Sequence, residues 1–550
     1  MQLRLHIVAV VMVIGRQRTM AKAAFCRSLE RSGRSDRGTR QGRTFSVVVA
    51  STTSSTDNAP HPWSSSSSLL VLNDKPIQTV MAPMVAASDY PFRRLVRRYG
   101  VDLCYTQMLL AKHLVGDPMF RRGHLDFCDW HMLAGPNQKD CDKRYLKSQC
   151  HCVPQPINPT LYEEIAATHT EGGPLIVQIA GNDPELLVDG AEKVLSMAPD
   201  GVVTGFDLNL GCPQGIARKG RYGAFLFEDD QDAVFESLKR LRERLPSSVK
   251  VSAKIRLPVD DDASDSRLKY RIEKLIEYSG VDFITVHGRT LLENKTRVTS
   301  CHFDKIRVAV ETAQQCRAGF PIIANGGIED YNSVNPVLQE TGATAVMSSE
   351  ALLETPNIFA VPPPTTARDQ FDQQIGLTRE YLDLVKEHPP FPCVLGPAMG
   401  SFNIVRGHLF KFLHRYVQKH DDLRERLVSH DTTNVQHALS LVDDLEDRYD
   451  NDETLEACVS SRPDSSWYRR HWNIKAEKFI HERRGPVQQQ DRQQGSGTMS
   501  TKDKKLLMQE RIRRLKEEKL KRKGAGHQQG LLPKVEETPI PATGAAEKSG

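Results

Sequence analysis

Between residues 77 and 348, short apolar or β-branched runs alternate with amphipathic stretches of helical length. That alternation restricts the chain to folds built from βαβ units around a parallel sheet. Eight strand-like runs occur, at 78–84, 102–108, 175–180, 206–211, 250–256, 283–287, 322–325 and 345–348. The helices between them are legible too. Pro184 to Met197 places Leu186, Leu187, Val194 and Leu195 on one face, with Asp183 ahead of Pro184 as N-cap. Segments 231–245 and 267–278 carry the same apolar period. Eight strands with crossover helices over ~250 residues predict an α/β fold, a closed (β/α)8 TIM barrel. An open doubly wound sheet is the alternative, weakened because no G-x-G-x-x-G follows the first strand.

The barrel domain predicted in this way covers 76–360. One interval within it, 121–159, has no period and is rich in Cys, His and Pro, so it reads as an inserted loop. Beyond Pro356 the strand signals stop. Helical patterns at 379–386, 404–419 and 435–449 predict an all-α C-terminal domain over 370–450. A tail, 451–550, follows. Its stretch 502–523 reads as a basic helix with Leu506, Leu507, Ile512 and Leu515 among the charges.

Ahead of the barrel, 1–75 reads as a disordered leader. Its longest apolar run, 7–15, falls short of the ~20 residues a bilayer span requires, so no membrane association is expected. Residues 16–56 are rich in Arg and Ser, with Glu30 and Asp36 their only acids. This composition suits a transit peptide to a mitochondrion or plastid, or a basic cytosolic extension. Either reading places the protein inside the cell. The formal net charge of +5 says little by itself, but both ends are more basic than the middle. The 11 cysteines show no even spacing, which points to reduced thiols rather than a disulfide framework. Within the insertion, Cys128, His131, Cys141, Cys150, His151 and Cys152 offer one pair, Cys128 with His131, at zinc-like spacing. The rest is irregular, and no metal is predicted.

In such barrels the working residues lie at the carboxyl ends of strands. Those ends carry Ala82-Pro83-Met84-Val85, Gln178, Asp207-Leu208-Asn209-Leu210-Gly211-Cys212-Pro213, Lys254-Ile255-Arg256, His287-Gly288-Arg289-Thr290, Asn325-Gly326-Gly327-Ile328 and Met347-Ser348-Ser349-Glu350. Polar, cationic and thiol groups recur there while strand interiors stay apolar, a pattern that a mere scaffold does not need. Cys212 follows a strand and a glycine and precedes a proline, so its thiol is expected in the barrel mouth rather than in the core. A thiol of pKa ~8.5 is mostly protonated at neutral pH and can donate a proton. Lys254, on a strand, needs an anionic partner or a lowered pKa.

These segments, together with Tyr222-Gly223-Ala224-Phe225-Leu226, resemble the tRNA-dihydrouridine synthase family over roughly residues 77–427. The eukaryotic branch acting on positions 16 and 17 of the D-loop is the most similar. The Asn-x-Gly-Cys-Pro motif with its downstream Gly-Ala-Phe-Leu is the most specific part. The resemblance implies FMN as cofactor, NADPH as reductant, tRNA as substrate and a monomeric enzyme. It makes Cys212 the proton donor to C5 of uracil. Pro83, Met84 and Val85 would then pack under the isoalloxazine, with Gln178 and Lys254 at its pyrimidine edge. His287 would stand on the ribityl-phosphate side, and Asn325, Gly326, Gly327, Ser349 and Glu350 around the phosphate. Glycines are frequent in that family where this chain has Ser349-Glu350-Ala351. Arg218, Lys219, Arg221, Arg256 and Arg289 are expected near the RNA. A flavin barrel acting on a free pyrimidine and a non-catalytic tRNA-binding relative are the rival readings.

Overall fold

The computed structural model describes residues 69–127, 171–259, 264–294, 297–388, 399–428, 432–450, 455 and 466–469. The expected transit peptide, the Cys/His-rich part of the insertion and the basic helix 502–523 lie outside them.

The described chain enters through a hairpin of β1 (Leu70–Leu72) and β2 (Lys75–Ile77), turned by Asn73 and Asp74 at φ 50° and 60°. Two successive positive φ values suit a primed hairpin turn, and Asn and Asp tolerate that region better than other side chains. Leu70, Leu72 and Ile77 are buried with Leu103, Phe283 and Ala345, which begin barrel strands, so the hairpin caps the amino end of the barrel. The hairpin starts ahead of the leader boundary that the sequence suggested at residue 75.

Eight parallel strands then close a ring. They are β3 (Thr79–Met81), β4 (Leu103–Tyr105), β6 (Leu175–Ala180), β7 (Val203–Leu210), β8 (Lys250–Leu257), β9 (Phe283–Thr290), β10 (Ile322–Asn325) and β11 (Ala345–Ser348). Each pairs with the next, and β11 returns to β3. A two-residue strand, β5 (Leu109–Leu110), adds to the end of β6. The closed barrel excludes the open sheet. Along the chain the barrel helices are α1 (Tyr90–Arg98), α2 (Ala111–Gly116), α3 (Pro118–His124), α4 (Pro184–Leu195), α5 (Gly215–Gly220), α6 (Ala224–Asp229) and α7 (Gln231–Arg244). They continue with α8 (Ser266–Glu273), α9 (Phe303–Cys316), α10 (Tyr331–Thr341) and α11 (Glu350–Glu354). The Asp183 carboxylate caps α4, accepting from the amides of Glu185 at 3.0 Å and Leu186 at 3.2 Å.

α1 carries a buried arginine. Arg93 Nη2 donates to Asp126 Oδ1 at 2.9 Å, and its Nε donates to Glu171 Oε2 at 3.2 Å. A side chain in the first barrel helix thus joins described residues that are far apart in sequence, Asp126 and Glu171.

The all-α part consists of α12 (Ala367–Glu387), α13 (Met399–Phe412), α14 (His414–Val417), α15 (Asp421–Val428) and α16 (Val435–Tyr449). It docks on α1. Asp89, just ahead of α1, accepts from His408 Nε2 at 2.5 Å and from the Tyr381 hydroxyl at 3.1 Å, and Phe92 stacks on the His408 ring with centroids 4.5 Å apart. Tyr99 donates to Glu380 at 2.6 Å nearby. No described helix is long and apolar enough to cross a membrane.

Candidate active site

The barrel interior near the carboxyl ends is polar, and its side chains are chained together. Alternate residues of a strand share a face, so Asp207 and Asn209 of β7 both point inward. Asp207 accepts from Ser252 Oγ at 2.8 Å and from Gln178 Nε2 at 2.7 Å. Gln178 Oε1 accepts from Asn209 Nδ2 at 2.7 Å. Asn209 Oδ1 in turn accepts from the amides of Gly211 at 3.2 Å and Cys212 at 3.0 Å. Three strands therefore hold the loop that carries the thiol. Gln178, expected at a flavin edge, already gives one donor and one acceptor to this chain. A carboxamide has a second of each to offer.

Cys212 is half-buried at the barrel mouth. The following segment folds back over it: the Ala224 amide donates to the Cys212 carbonyl at 3.3 Å. Gly223 has φ 69°, and a Cβ there would stand 2.9 Å from that carbonyl oxygen, so only glycine fits. Burial pushes the Cys212 thiol up, against the Gln214 backbone, Arg256 and Lys254, which act in the opposite sense. At neutral pH the sulfur keeps its proton.

Register then places cations beside it. Lys254 lies opposite Asn209, and Arg256 opposite His287. Burial, then Arg256, brings the Lys254 ammonium down to about 8, against the attraction of Asp207 and Cys212. Burial raises Asp207 to about 6, against its two hydrogen bonds and Lys254. Arg256 donates to the Gly211 carbonyl at 2.8 Å and the Thr290 carbonyl at 3.0 Å. Buried Arg289 donates to the Thr299 carbonyl at 2.7 Å and lies 3.3 Å from His287 Nε2. His287, pushed well below the usual histidine range by burial and then by Arg256, Lys254 and Arg289, is neutral and accepts that bond. Glu293 accepts from the Thr290 amide at 2.8 Å and bonds His302 Nε2 at 3.0 Å, so it is already engaged.

Among the described residues, none of Lys254, Arg256 and Arg289 forms an ion pair. Three largely buried cations around one mouth are costly unless an anion joins them. A cavity of about 650 Å³ opens beside them, its lining including Arg256, His287, Arg289, Glu293, Asn325, Gly326, Gly327, Ser348, Ser349 and Glu350 together with Tyr468. The Ser348 hydroxyl is buried there without a hydrogen-bond partner among the described residues. Gly326 and Gly327 have φ 99° and 77°, a region that L side chains rarely adopt, and as glycines they leave the backbone bare at the cavity wall. Asn325 is buried and donates to the Met347 carbonyl at 2.9 Å, holding the ends of β10 and β11 together. The cations, the orphaned hydroxyl and the bare backbone fit an elongated anionic group such as a flavin mononucleotide.

The structure thus gathers His287, Asn325, Gly326, Gly327, Ser349 and Glu350 around one cavity, with Lys254, Gln178 and Cys212 linked to it through side-chain contacts at the mouth. Pro83 and Met84 are half-buried at the end of β3, Met84 packing on the barrel core, while Val85 is 65 % exposed. Arg218, Lys219 and Arg221 are exposed beside the Cys212 loop. Arg256 and Arg289 instead point inward. Asp207, Asn209 and Ser348, which the sequence placed at strand ends without a role of their own, and Ser252 and Tyr468, which it did not single out, are further site residues. The alternation of Asp207 and Asn209 on an otherwise apolar strand was the available signal for the first two. No group of His, Cys, Asp or Glu suited to a metal ion occurs among the described residues.

The profile of a family described as dihydrouridine synthase (Dus) matches residues 80–126 and 154–449. The gap, 127–153, falls within the inserted interval. The chain is 35% identical over 348 residues to a rat (Rattus norvegicus) protein named tRNA-dihydrouridine(16/17) synthase [NAD(P)(+)]-like, covering 63% of this chain and 62% of that one. It is 32% identical to the tRNA-dihydrouridine(16/17) synthase [NAD(P)(+)] of Schizosaccharomyces pombe, over 63% of this chain and 72% of the relative. The Saccharomyces cerevisiae protein of the same name is 32% identical over 64% of this chain and 68% of its own length. The chain therefore spans about three-fifths of the rat relative.

Proposed function

Because the chain belongs to the dihydrouridine synthase family, we propose that it reduces the C5=C6 bond of a uridine in the D-loop of tRNA, at position 16, 17 or both, with FMN as cofactor and NADPH as reductant. The observation that carries this reading is a cavity walled by Arg256 and Arg289, with Lys254 buried next to Arg256 and a protonated thiol nearby, none of the three cations having an ion-pair partner among the described residues. When bound, the flavin supplies hydride to C6 of the base. Lys254, whose ammonium burial and Arg256 bring down to about 8, would stabilise negative charge on the reduced ring. Arg289, with Asn325, Gly326, Gly327, Ser348 and Ser349, holds the phosphate end.

Cys212 donates the proton to C5. The Asn209 carboxamide holds the Cys212 amide, so the thiol is positioned by a network rooted in Asp207 and Ser252. Neither C5 nor C6 can be reached in a stacked base, so the uridine is flipped into the barrel mouth. Exposed Arg218, Lys219 and Arg221 meet the RNA backbone around it, and the helical domain over 370–450 grips the rest of the tRNA. The purified protein should be yellow and release FMN on denaturation. Cells lacking it should lose dihydrouridine at position 16 or 17 of their tRNA. A colourless protein that FMN does not reconstitute, or an unchanged dihydrouridine map, refutes the reading.

A further inference from the structure

Four described residues of the C-terminal tail, Ser466 to Arg469, bring one side chain, Tyr468, to the wall of the cofactor cavity. The family match ends at residue 449, so the resemblance says nothing about them. Three of the four are anchored away from the cavity. Ser466 Oγ donates to Glu354 Oε2 at 2.7 Å, and the Tyr468 amide donates to the same oxygen at 3.0 Å. Glu354 is itself buried at the end of α11, and its other oxygen accepts from Arg415 of the helical domain at 2.9 Å. Trp467 stands edge-on to Phe410 and His414, with centroids 5.6 Å and 5.4 Å away. Arg469 Nε donates to Glu329 at 2.8 Å.

The fourth side chain turns the other way. Tyr468 lines the cavity with Arg289, Asn325, Gly326, Gly327 and Ser348. Its phenol lies beside the Arg289 guanidinium and near the Cys301 thiol, and burial first of all raises it to about 12, so it stays protonated. A phenol accepts from a guanidinium, which has only donors, and can still give its own proton to an anion. An anchored segment that brings one hydroxyl to a cavity rich in donors and cations is built for an anion with several acceptor oxygens, such as a phosphate.

We propose that Ser466 to Arg469 forms a strap closing the phosphate end of the flavin cavity, with the Tyr468 hydroxyl donating a hydrogen bond to the flavin phosphate beside Arg289. This rests on the FMN reading above. The strap ties cofactor retention to a region outside the barrel, through Glu354 on one side and the Phe410–His414 surface of the helical domain on the other.

The test is a titration of the flavin-free full-length protein with FMN and with riboflavin, which lacks the phosphate, followed by flavin fluorescence. Tyr468→Phe removes only the hydroxyl. Trp467→Ala keeps the phenol but removes the anchor, and does not touch the cavity. Both variants should bind FMN about tenfold more weakly than wild type, the scale of one lost charge-assisted hydrogen bond, and bind riboflavin as wild type does. Variants that bind FMN as tightly as wild type, or more tightly because the strap competes with the phosphate, overturn the proposal. Weakening by Trp467→Ala alone refutes the phenol's hydrogen bond. A wild-type protein that binds neither flavin overturns the cofactor reading instead, which keeps the two failures apart.

Discussion

Lys254→Met is expected to stabilise the flavin-free protein and weaken its hold on FMN at the same time. Burial, then Arg256, brings the Lys254 ammonium down from 10.5 to about 8 in the folded chain. Between those pH values the unfolded chain binds a proton that the folded chain does not. The penalty therefore grows as pH falls from 10.5 to 8 and stays at its full size below that. At pH 7 it is about 3 kcal/mol, and about 2 kcal/mol after allowing for the part of the side chain that still meets water. Methionine has similar length and no charge, so the packing is kept while the penalty goes. Urea unfolding of the flavin-free proteins should show the variant ahead by about 2 kcal/mol at pH 7, with the gap closing towards pH 10.5. Titration with reduced FMN should show affinity down by roughly ten- to a hundredfold, because the variant no longer offers a cation to the negatively charged ring. A variant less stable than wild type at pH 7, or a stability gap that ignores pH, would refute the claim that this lysine awaits an anion.

Cys212→Ala should keep the fold, the bound FMN and the reduction of flavin by NADPH. Reduction of tRNA, measured as dihydrouridine formed in single turnovers, should fall by ~10² to 10⁴, and a wild-type rate would make Cys212 a packing residue. Truncation before Lys502 should lower tRNA affinity and flatten its dependence on salt while leaving flavin content intact; equal affinities at low and high salt would show that the tail is not an RNA-binding element.

The barrel was legible because parallel strands buried on both faces read as continuous apolar runs, and β6, β10 and β11 begin and end where the sequence suggested. Strand ends were less so. Gly288, Arg289 and Thr290 read as loop, yet they extend β9 to Thr290, where it pairs with Leu257 of β8. The hairpin at 70–77 was hidden because strands of three residues give no period. In the helical domain, α12 begins at Ala367 rather than 379, since Arg368, Asp369 and Gln370 dilute the stripe of Phe371, Ile375 and Thr378. Cys212 and Lys254 could be read from motif and strand position. Ser252 could not, because its meaning lies in a carboxylate 45 residues away. Tyr468 was further out of reach, since a carboxylate 114 residues earlier holds its backbone in place.

The double grip of Arg93 on Asp126 and Glu171 has a consequence for the length of the chain between them. The chain between those carboxylates starts and finishes at residues joined by a single guanidinium, and the strands on either side, β4 and β6, pair with each other directly. Lengthening a loop whose ends are already fixed adds only about 0.6 kcal/mol for each doubling. With its two ends pinned in this way, the interval is one where a change in length costs the barrel little.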